Sequence, residues 1–315
     1  MKDYLNEIDS QFPLRQSRED KAAFQAYAVQ EAAASGYSAE VTSAHTSGGG
    51  GKPGKHGNIV IGDPEKAGAV FTAHYDTPRR ALLPNTMIPL NQPLKYAYLF
   101  AELAVMLVLA IGAARAVRSW YGRDGAAARL IYVGVYAAVY FGLFMILFRG
   151  AANRHNRNDN TSGTAAVLTL AQKLAGNPRA AFILFDNEEK GKKGSRAYAE
   201  ARPEIRSDRL VVNLDCVGNG ETFIASASDK AMEDPRFAAL ESALRGIGAE
   251  ICSARRASLN SDQKSFDKGV GICACRYRKG IGYYTPRIHT NRDTVASPEN
   301  ITKLADALAE FAGSL

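Results

Sequence analysis

Cysteine is scarce in this chain of 315 residues: Cys216, Cys252, Cys273 and Cys275 are the only four, and none belongs to a Cys-x-x-Cys pair. A disulfide framework and a cysteine-built metal knuckle are therefore not expected. Cys273 and Cys275 fall two apart on a strand-like run and face one side of it, so all four read as buried, reduced thiols of a cytoplasmic domain. Helix-turn-helix, zinc-knuckle and RNA-binding signatures are missing too, which removes nucleic acid as an expected partner. Residues 1–30 are polar and charged without an apolar segment, so no secretory signal is read there. No internal repeat is present. The net charge of +7 is modest, serving solubility or attraction to anionic lipid head groups.

What is present is unevenly spread. Apolar residues make up 46% of the chain and charged ones 23%, but much of the apolar content lies between about residues 94 and 148. Outside that stretch, strand-like and helix-like segments alternate. The first forty residues read as helix, followed by a glycine-rich loop at 48–57 and strands at 58–61 and 69–73. Further strands are expected at 180–185, 210–214, 250–254 and 270–276, with helices near 162–174, 234–246 and 298–311. This alternation predicts an α/β fold, a three-layer α/β/α sandwich around a mixed, mainly parallel sheet. One domain built from residues 1–93 and 150–315 would carry residues 94–149 as an insert. The glycine-rich loop nearly matches a phosphate-binding loop, but His56 stands where Ser or Thr should be and a strand follows, so it reads as a connection.

The chemistry is concentrated in five short contexts: His74-Tyr-Asp76, Asp159-Asn-Thr-Ser-Gly163, Glu188-Glu189, Asp215 and His289-Thr-Asn-Arg-Asp293. They supply two histidines and enough carboxylates to hold two divalent ions and leave one carboxylate as a base. Each falls at a strand end or helix start, where open α/β sheets build their sites. Singly they are weak signals, because most Glu-Glu or His-x-Asp pairs are solvated surface. His45, His56 and His155 lack such contexts and read as surface or loop histidines.

Taken in order, these motifs resemble those of the co-catalytic zinc peptidases of metallopeptidase family 28, which includes leucyl-type aminopeptidases, glutamate carboxypeptidases and glutaminyl cyclases. The resemblance covers most of residues 58–92 and 151–315. It implies two zinc ions (cobalt or manganese being alternatives), with His74 and Asp215 as terminal ligands of separate metals and Asp159 as the bridge. Glu189 and His289 would complete the two spheres, and Glu188 would be the general base. Asp76 would hold the His74 imidazole without binding metal. A cis peptide is implied at Asp159–Asn160. The segment Asn260-Ser-Asp262-Gln263 matches a substrate-side loop in which Gln263 replaces the usual His or Tyr. Ile288 stands where some members carry an oxyanion-stabilising Tyr, leaving Tyr283 or Tyr284 as substitutes. Lys190, Lys192 and Lys193 read as solvated, with attraction of an acidic substrate as the alternative.

The insert separates His74 from Asp159, which the family keeps close in sequence. Its two apolar segments, 96–114 between Lys95 and Arg115 and 130–148 between Arg129 and Arg149, would each span ~28 Å as helices, near the ~30 Å of a bilayer core. Gly134, Ala138 and Gly142 form a small-residue stripe suited to helix contact, and Tyr96, Tyr98 and Trp120 fall near the ends. Glu102 would sit near an interface, pair with a partner or line a substrate route. A hairpin packing on a partner subunit is the competing reading. The loop arginines 115, 118, 123 and 129 favour the inside by the positive-inside rule, while the missing signal keeps the main domain in the cytoplasm; a shallow hairpin satisfies both. The expectation is a membrane-associated aminopeptidase on peptide substrates, with lipid bound through residues 95–148 and homo-oligomer formation through the hairpin. The alternatives are a carboxypeptidase, a glutaminyl cyclase with one zinc, or a non-catalytic membrane scaffold.

Overall fold

The computed structural model describes residues 2–45, 55–81, 86–122, 124–148 and 150–315. Most of the glycine-rich loop, with Arg123 and Arg149, lies outside the described residues. The elements in chain order are α1 (Tyr4–Gln11), α2 (Arg18–Ala34), β1 (Ala39–His45), β2 (Lys55–Ile61), β3 (Ala69–His74), α3 (Gln92–Tyr121), α4 (Ala126–Phe148) and α5 (Gly163–Leu174). There follow β4 (Ala180–Phe185), α6 (Lys193–Ala201), α7 (Pro203–Asp208), β5 (Leu210–Leu214), β6 (Thr222–Ala227), α8 (Asp229–Met232), α9 (Phe237–Gly246), β7 (Glu250–Ser253), β8 (Gly269–Arg278), β9 (Gly282–Tyr284) and α10 (Pro298–Gly313).

The strands form one mixed sheet in the order β1-β2-β4-β3-β5-β8-β6-β7, with β9 on β8. Its centre, β4-β3-β5-β8, is parallel, while β1, β2, β6 and β9 join through antiparallel pairs. Side chains alternate across it as the pleat requires. Phe71, Phe182 and Val212 pack with α2, α5, α9 and α10 on one face; Val70, Ile183 and Val211 pack with Tyr198, Ala199 and Ile205 of α6 and α7 on the other. Helices on both faces make the predicted three layers.

The expected single N-terminal helix is instead two helices and a strand. Ser17 breaks it with a reciprocal cap to Asp20, and edge strand β1 overlaps only the last two residues of the expected helix. Strands β6 and β9 and helices α6 and α7 were also not foreseen. All four cysteines are buried and unbridged, and the Cys273 and Cys275 sulfurs lie 3.6 Å apart on one face, as expected.

The insert is two long antiparallel helices packed on each other. Met106, Ala110 and Ala114 of α3 and Ala128 of α4 are buried. The stripe of Gly134, Ala138 and Gly142 does not make this contact: a Cβ on either glycine would meet nothing within 4 Å, and Gly134 and Ala138 are exposed. Apart from Val41, Met232, Tyr277 and Val295, the exposed large apolar side chains of the described residues all belong to α3 and α4. By length and composition both helices could cross a membrane.

Candidate metal centre

Strands β4, β3 and β5 are neighbours, so their carboxyl ends deliver side chains to one place. His74 ends β3, Asp215 follows β5, and a helical turn after β4 presents Glu188 and Glu189. Asp159 lies in the kinked turn Arg157–Ser162 before α5, and His289 in the loop before α10.

Asp159 stands in the middle. Its Oδ1 is 3.4 Å from His74 Nε2 and its Oδ2 is 3.0 Å from His289 Nε2. Asp215 Oδ1 is 3.8 Å from His74 Nε2, and Glu189 Oε2 is 3.4 Å from His289 Nε2. Two groups of potential ligand atoms result, His74-Asp159-Asp215 and Asp159-Glu189-His289, each within 4.8 Å. This corrects the expected division: His74 and Asp215 belong to one group, not to separate metals, because β3 and β5 are adjacent. A third grouping joins Glu188 to His74 and Glu189, so Glu188 leans between the two.

The cluster is held from behind by buried polar groups. Asp76 does more than hold His74: its carboxylate accepts the main-chain N–H groups of Glu188 at 2.9 Å and Glu189 at 3.3 Å. The Nδ1 of His74 lies 3.1 Å from the Asp76 carbonyl and 3.6 Å from its carboxylate. Asp293 accepts the N–H groups of Asn158 and Asp159, fixing the central carboxylate. Asn160 ties three ligand-bearing segments together. Its amide donates to the Leu214 carbonyl at 2.9 Å and the His74 carbonyl at 3.5 Å, and accepts from Gly163 and Cys216. A Cβ at Gly163 would fall 2.2 Å from the Leu214 carbonyl, so this junction requires glycine for space. The Asp159–Asn160 bond is cis, as expected. Neither the tie through Asn160 nor the Asp293 clamp was assigned from the sequence, although both residues lie inside the motifs.

Electrostatics mark the cluster as one that calls for cations. Burial opposes charge on both histidines, yet Asp159, Asp215 and Asp76 raise His74 well above its usual value, and Glu189 with Asp159 raises His289 to about 10. Burial pushes Glu189 up to about 8 and Glu188 well up, with neighbouring carboxylates adding to both. Glu189 Oε1 and Asp215 Oδ1 are buried without a hydrogen-bond donor. Buried, undonated carboxylate oxygens beside imidazole nitrogens suit divalent metal ions, so the donor set fits a two-metal centre.

A cleft of about 300 Å³ opens on the cluster, lined by Asp159, Glu188, Glu189, Asp215 and His289 together with Lys95, Lys192, Asn260 and Ile288. Asp262 is fully buried beside Glu188 and His74, and burial raises its carboxyl to about 7. Gln263 turns away, donating to the Leu259 carbonyl and accepting from Asn213. Tyr283 bonds Glu250 at the sheet edge, and neither it nor Tyr284 lines the cleft. Lys190 and Lys193 line a separate depression of about 660 Å³ that reaches Glu189 and His289 from the other side, with Met145 of α4 on its wall. His155 is exposed.

Solved structures share this fold. A zinc-dependent exopeptidase from Parabacteroides distasonis has a TM-score of 0.61 at 14% identity, covering 98% of this chain and 95% of that one. A glutaminyl cyclase from Porphyromonas gingivalis has 0.59 at 14%, over 99% and 96%. The aminopeptidase LapA of Legionella pneumophila has 0.57 at 17%, over 99% and 69%. No curated protein matches the chain. The family described as Peptidase family M28 matches residues 154–312, a region holding Asp159, Glu188, Glu189, Asp215 and His289. His74 lies before that region and before the insert, yet the fold returns it to the same cluster. The match spans half of the chain, which therefore belongs to peptidase family M28.

Proposed function

We propose that the chain is a membrane-associated di-zinc exopeptidase, acting as an aminopeptidase that removes N-terminal residues from peptides. The observation that carries this is the pair of complete ligand groups sharing Asp159, with Glu188 between them. His74, Asp159 and Asp215 would hold one ion, and Asp159, Glu189 and His289 the other. Two zinc ions would supply Lewis acidity, polarising the scissile carbonyl and lowering the pKa of water. Cobalt or manganese would suit the same donors.

The protein's own groups do the remaining work. Asp76 fixes the Glu188 and Glu189 backbone, so base and ligand keep their spacing. Glu188, already raised in proton affinity by burial, takes the proton of the attacking water and returns it to the leaving amine. The cleft, about 300 Å³, is at the small end of ligand sites and suits a peptide end. Two complete groups favour two ions over the single zinc of the cyclase reading, and no ligand or base is lost, as a scaffold would allow.

Replacing Glu188→Ala should cut turnover by ~10²-fold or more while zinc content persists. Unchanged turnover would refute its role. Aminoacyl and N-blocked peptides, assayed with and without added zinc, separate aminopeptidase from carboxypeptidase; metal stoichiometry separates both from the cyclase. Helices α3 and α4, with 30 and 23 residues, are ~45 and ~35 Å long, enough for a ~30 Å core. Their outward apolar faces support a bilayer anchor; the cytoplasm is the side we assign to the catalytic domain. Protease protection of membrane vesicles would test that side.

A further inference from the structure

Lys95 reads from sequence as a basic flank of an apolar helix, the kind that reaches up to lipid head groups. In the fold it lines the metal cleft, opposite a sequence-distant lysine, Lys192, at the start of α6. Both are half-buried. Among the described residues neither ammonium lies within ion-pair distance of a carboxylate, and Lys192 donates only to the neutral Asn260 Oδ1, at 3.0 Å. The acidic side chains lining this cleft are Asp159, Glu188, Glu189 and Asp215, all assigned to metal or base roles. With two divalent ions bound, those carboxylates are balanced and the two lysines are left as uncompensated positive charge.

We propose that Lys95 and Lys192 form a carboxylate subsite in the metal cleft, one half from the inserted hairpin and the other from the catalytic domain. The preferred substrate then carries a carboxylate within a residue or two of the scissile bond, as the free C-terminus of a short peptide or as an acidic side chain. The proposal rests on the exopeptidase reading and gives it a substrate class. Lys264 feels both charges, since Lys192 and Lys95, after burial, lower its ammonium pKa, but it lines a neighbouring depression with Lys192 and Arg196. Two cations from two elements therefore meet at the cleft, Lys95 from α3 and Lys192 from the start of α6. The neighbouring lysines do not share this role, since Lys190 and Lys193 line the other depression.

The test uses the full chain in detergent, zinc-loaded and carrying Glu188→Gln, and measures peptide binding by calorimetry. The probes are Leu-Gly, Leu-Gly-amide and Glu-Gly-amide, which separate a terminal carboxylate from a side-chain one. Either carboxylate-bearing peptide should bind roughly tenfold tighter than Leu-Gly-amide, the scale of a charge-assisted hydrogen bond. Adding Lys95→Met or Lys192→Met should shrink that ratio below about threefold, while Lys95→Arg keeps it. If Lys95→Met disturbs the hairpin, Lys192→Met alone decides. Equal affinity for all three peptides, or a ratio untouched by both methionine variants, overturns the subsite. Turnover of the same peptides by the unsubstituted chain is a separate readout. A carboxylate preference without hydrolysis would keep the subsite and refute the exopeptidase reading.

Discussion

The turn that carries Glu188 and Glu189 is anchored by a residue far away in sequence, and that anchor can be removed cleanly. Lys21 of α2 places its ammonium 2.5 Å from Asp186 Oδ1 and 2.9 Å from Asn187 Oδ1. Its side chain is 11% exposed and that of Asp186 5%. Asp186 also accepts from the Gly57 N–H and the Asn187 amide. Asn187 is left-handed, with φ of 56°, and turns the chain directly into Glu188. Lys21→Met keeps the length of the stem and deletes the charge, leaving a buried carboxylate with two neutral donors. Breaking one partner of a buried pair costs about 3–5 kcal/mol; the surviving donors argue for the lower end, about 3 kcal/mol. At roughly 2–4 °C per kcal/mol for domains approaching this size, Tm should fall by about 6–12 °C. Calorimetric melting of Lys21→Met, Asp186→Asn and the double variant measures it. The double should lose less than the sum of the singles, with a coupling of about 1–3 kcal/mol. Additive losses, or a single variant melting within 1 °C of the parent, would refute the anchor.

Two further outcomes follow from other parts of the fold. Removing residues 95–149 with a short linker should give a soluble, folded domain, because α3 and α4 bury their contacts mainly on each other; circular dichroism and gel filtration would show it, and an unfolded or aggregated product would make the hairpin part of the core. Asp234, held by Arg236 at 2.7 Å and Lys268 at 2.9 Å, has its carboxyl lowered first by the Arg236 hydrogen bonds. A lowered folded value means its contribution is full above the unfolded pKa of about 3.9 and is lost as pH falls through the folded value. Asp234→Asn should then cost about 1–2 kcal/mol at pH 7, discounted for solvent near the pair, and flatten the acid limb of a stability-pH curve. An unchanged acid limb would contradict that origin.

How much of this was legible in the sequence depends on what each residue's neighbours are. The central strands announced themselves because Ala180–Phe185 and Leu210–Leu214 are buried along their whole length, the first an unbroken apolar run and the second apolar but for Asn213. Edge strand β1, Ala39–His45, pairs only with β2 and keeps polar, partly exposed positions, so nothing marked it. Strand β6, Thr222–Ala227, is buried but built largely of small residues. The candidate ligands could be picked out one by one, since each follows a recognisable local context, and the fold brings them together. Their grouping could not be read that way: strand order puts β3 between β4 and β5, and no local pattern reports strand order. The place of Lys95 at the cleft was hidden for the same reason. Periodicity relates it to the helix it begins, not to the cleft that the fold folds back beside it.

The insert poses the sharpest version of that limit, because it enters the chain between His74 and Asp159, two members of the candidate metal centre, without separating them. The explanation lies at its neck. Arg79 and Ala152 form an antiparallel bridge, with the Arg80 N–H on the Ala151 carbonyl and the Asn153 N–H on the Pro78 carbonyl. The neck is also tied to the site, since the Ala81 N–H donates to the His289 carbonyl and the Asn153 amide to the Thr290 carbonyl. On the ligand side, the His74 carbonyl accepts from the Thr164 hydroxyl and the Asn160 amide. His74 and Asp159 are thus held by hydrogen bonds across the neck, not by the length of chain between them. Closure entropy rises only slowly with loop length, so a clamped neck tolerates a long helical insertion. Its roots nevertheless border the two depressions that reach the metal ligands, Lys95 on one and Met145 on the other. An insertion fixed at this position brings whatever surrounds the hairpin to the mouth of the site, so the proposed anchor and the proposed carboxylate subsite would share one piece of chain.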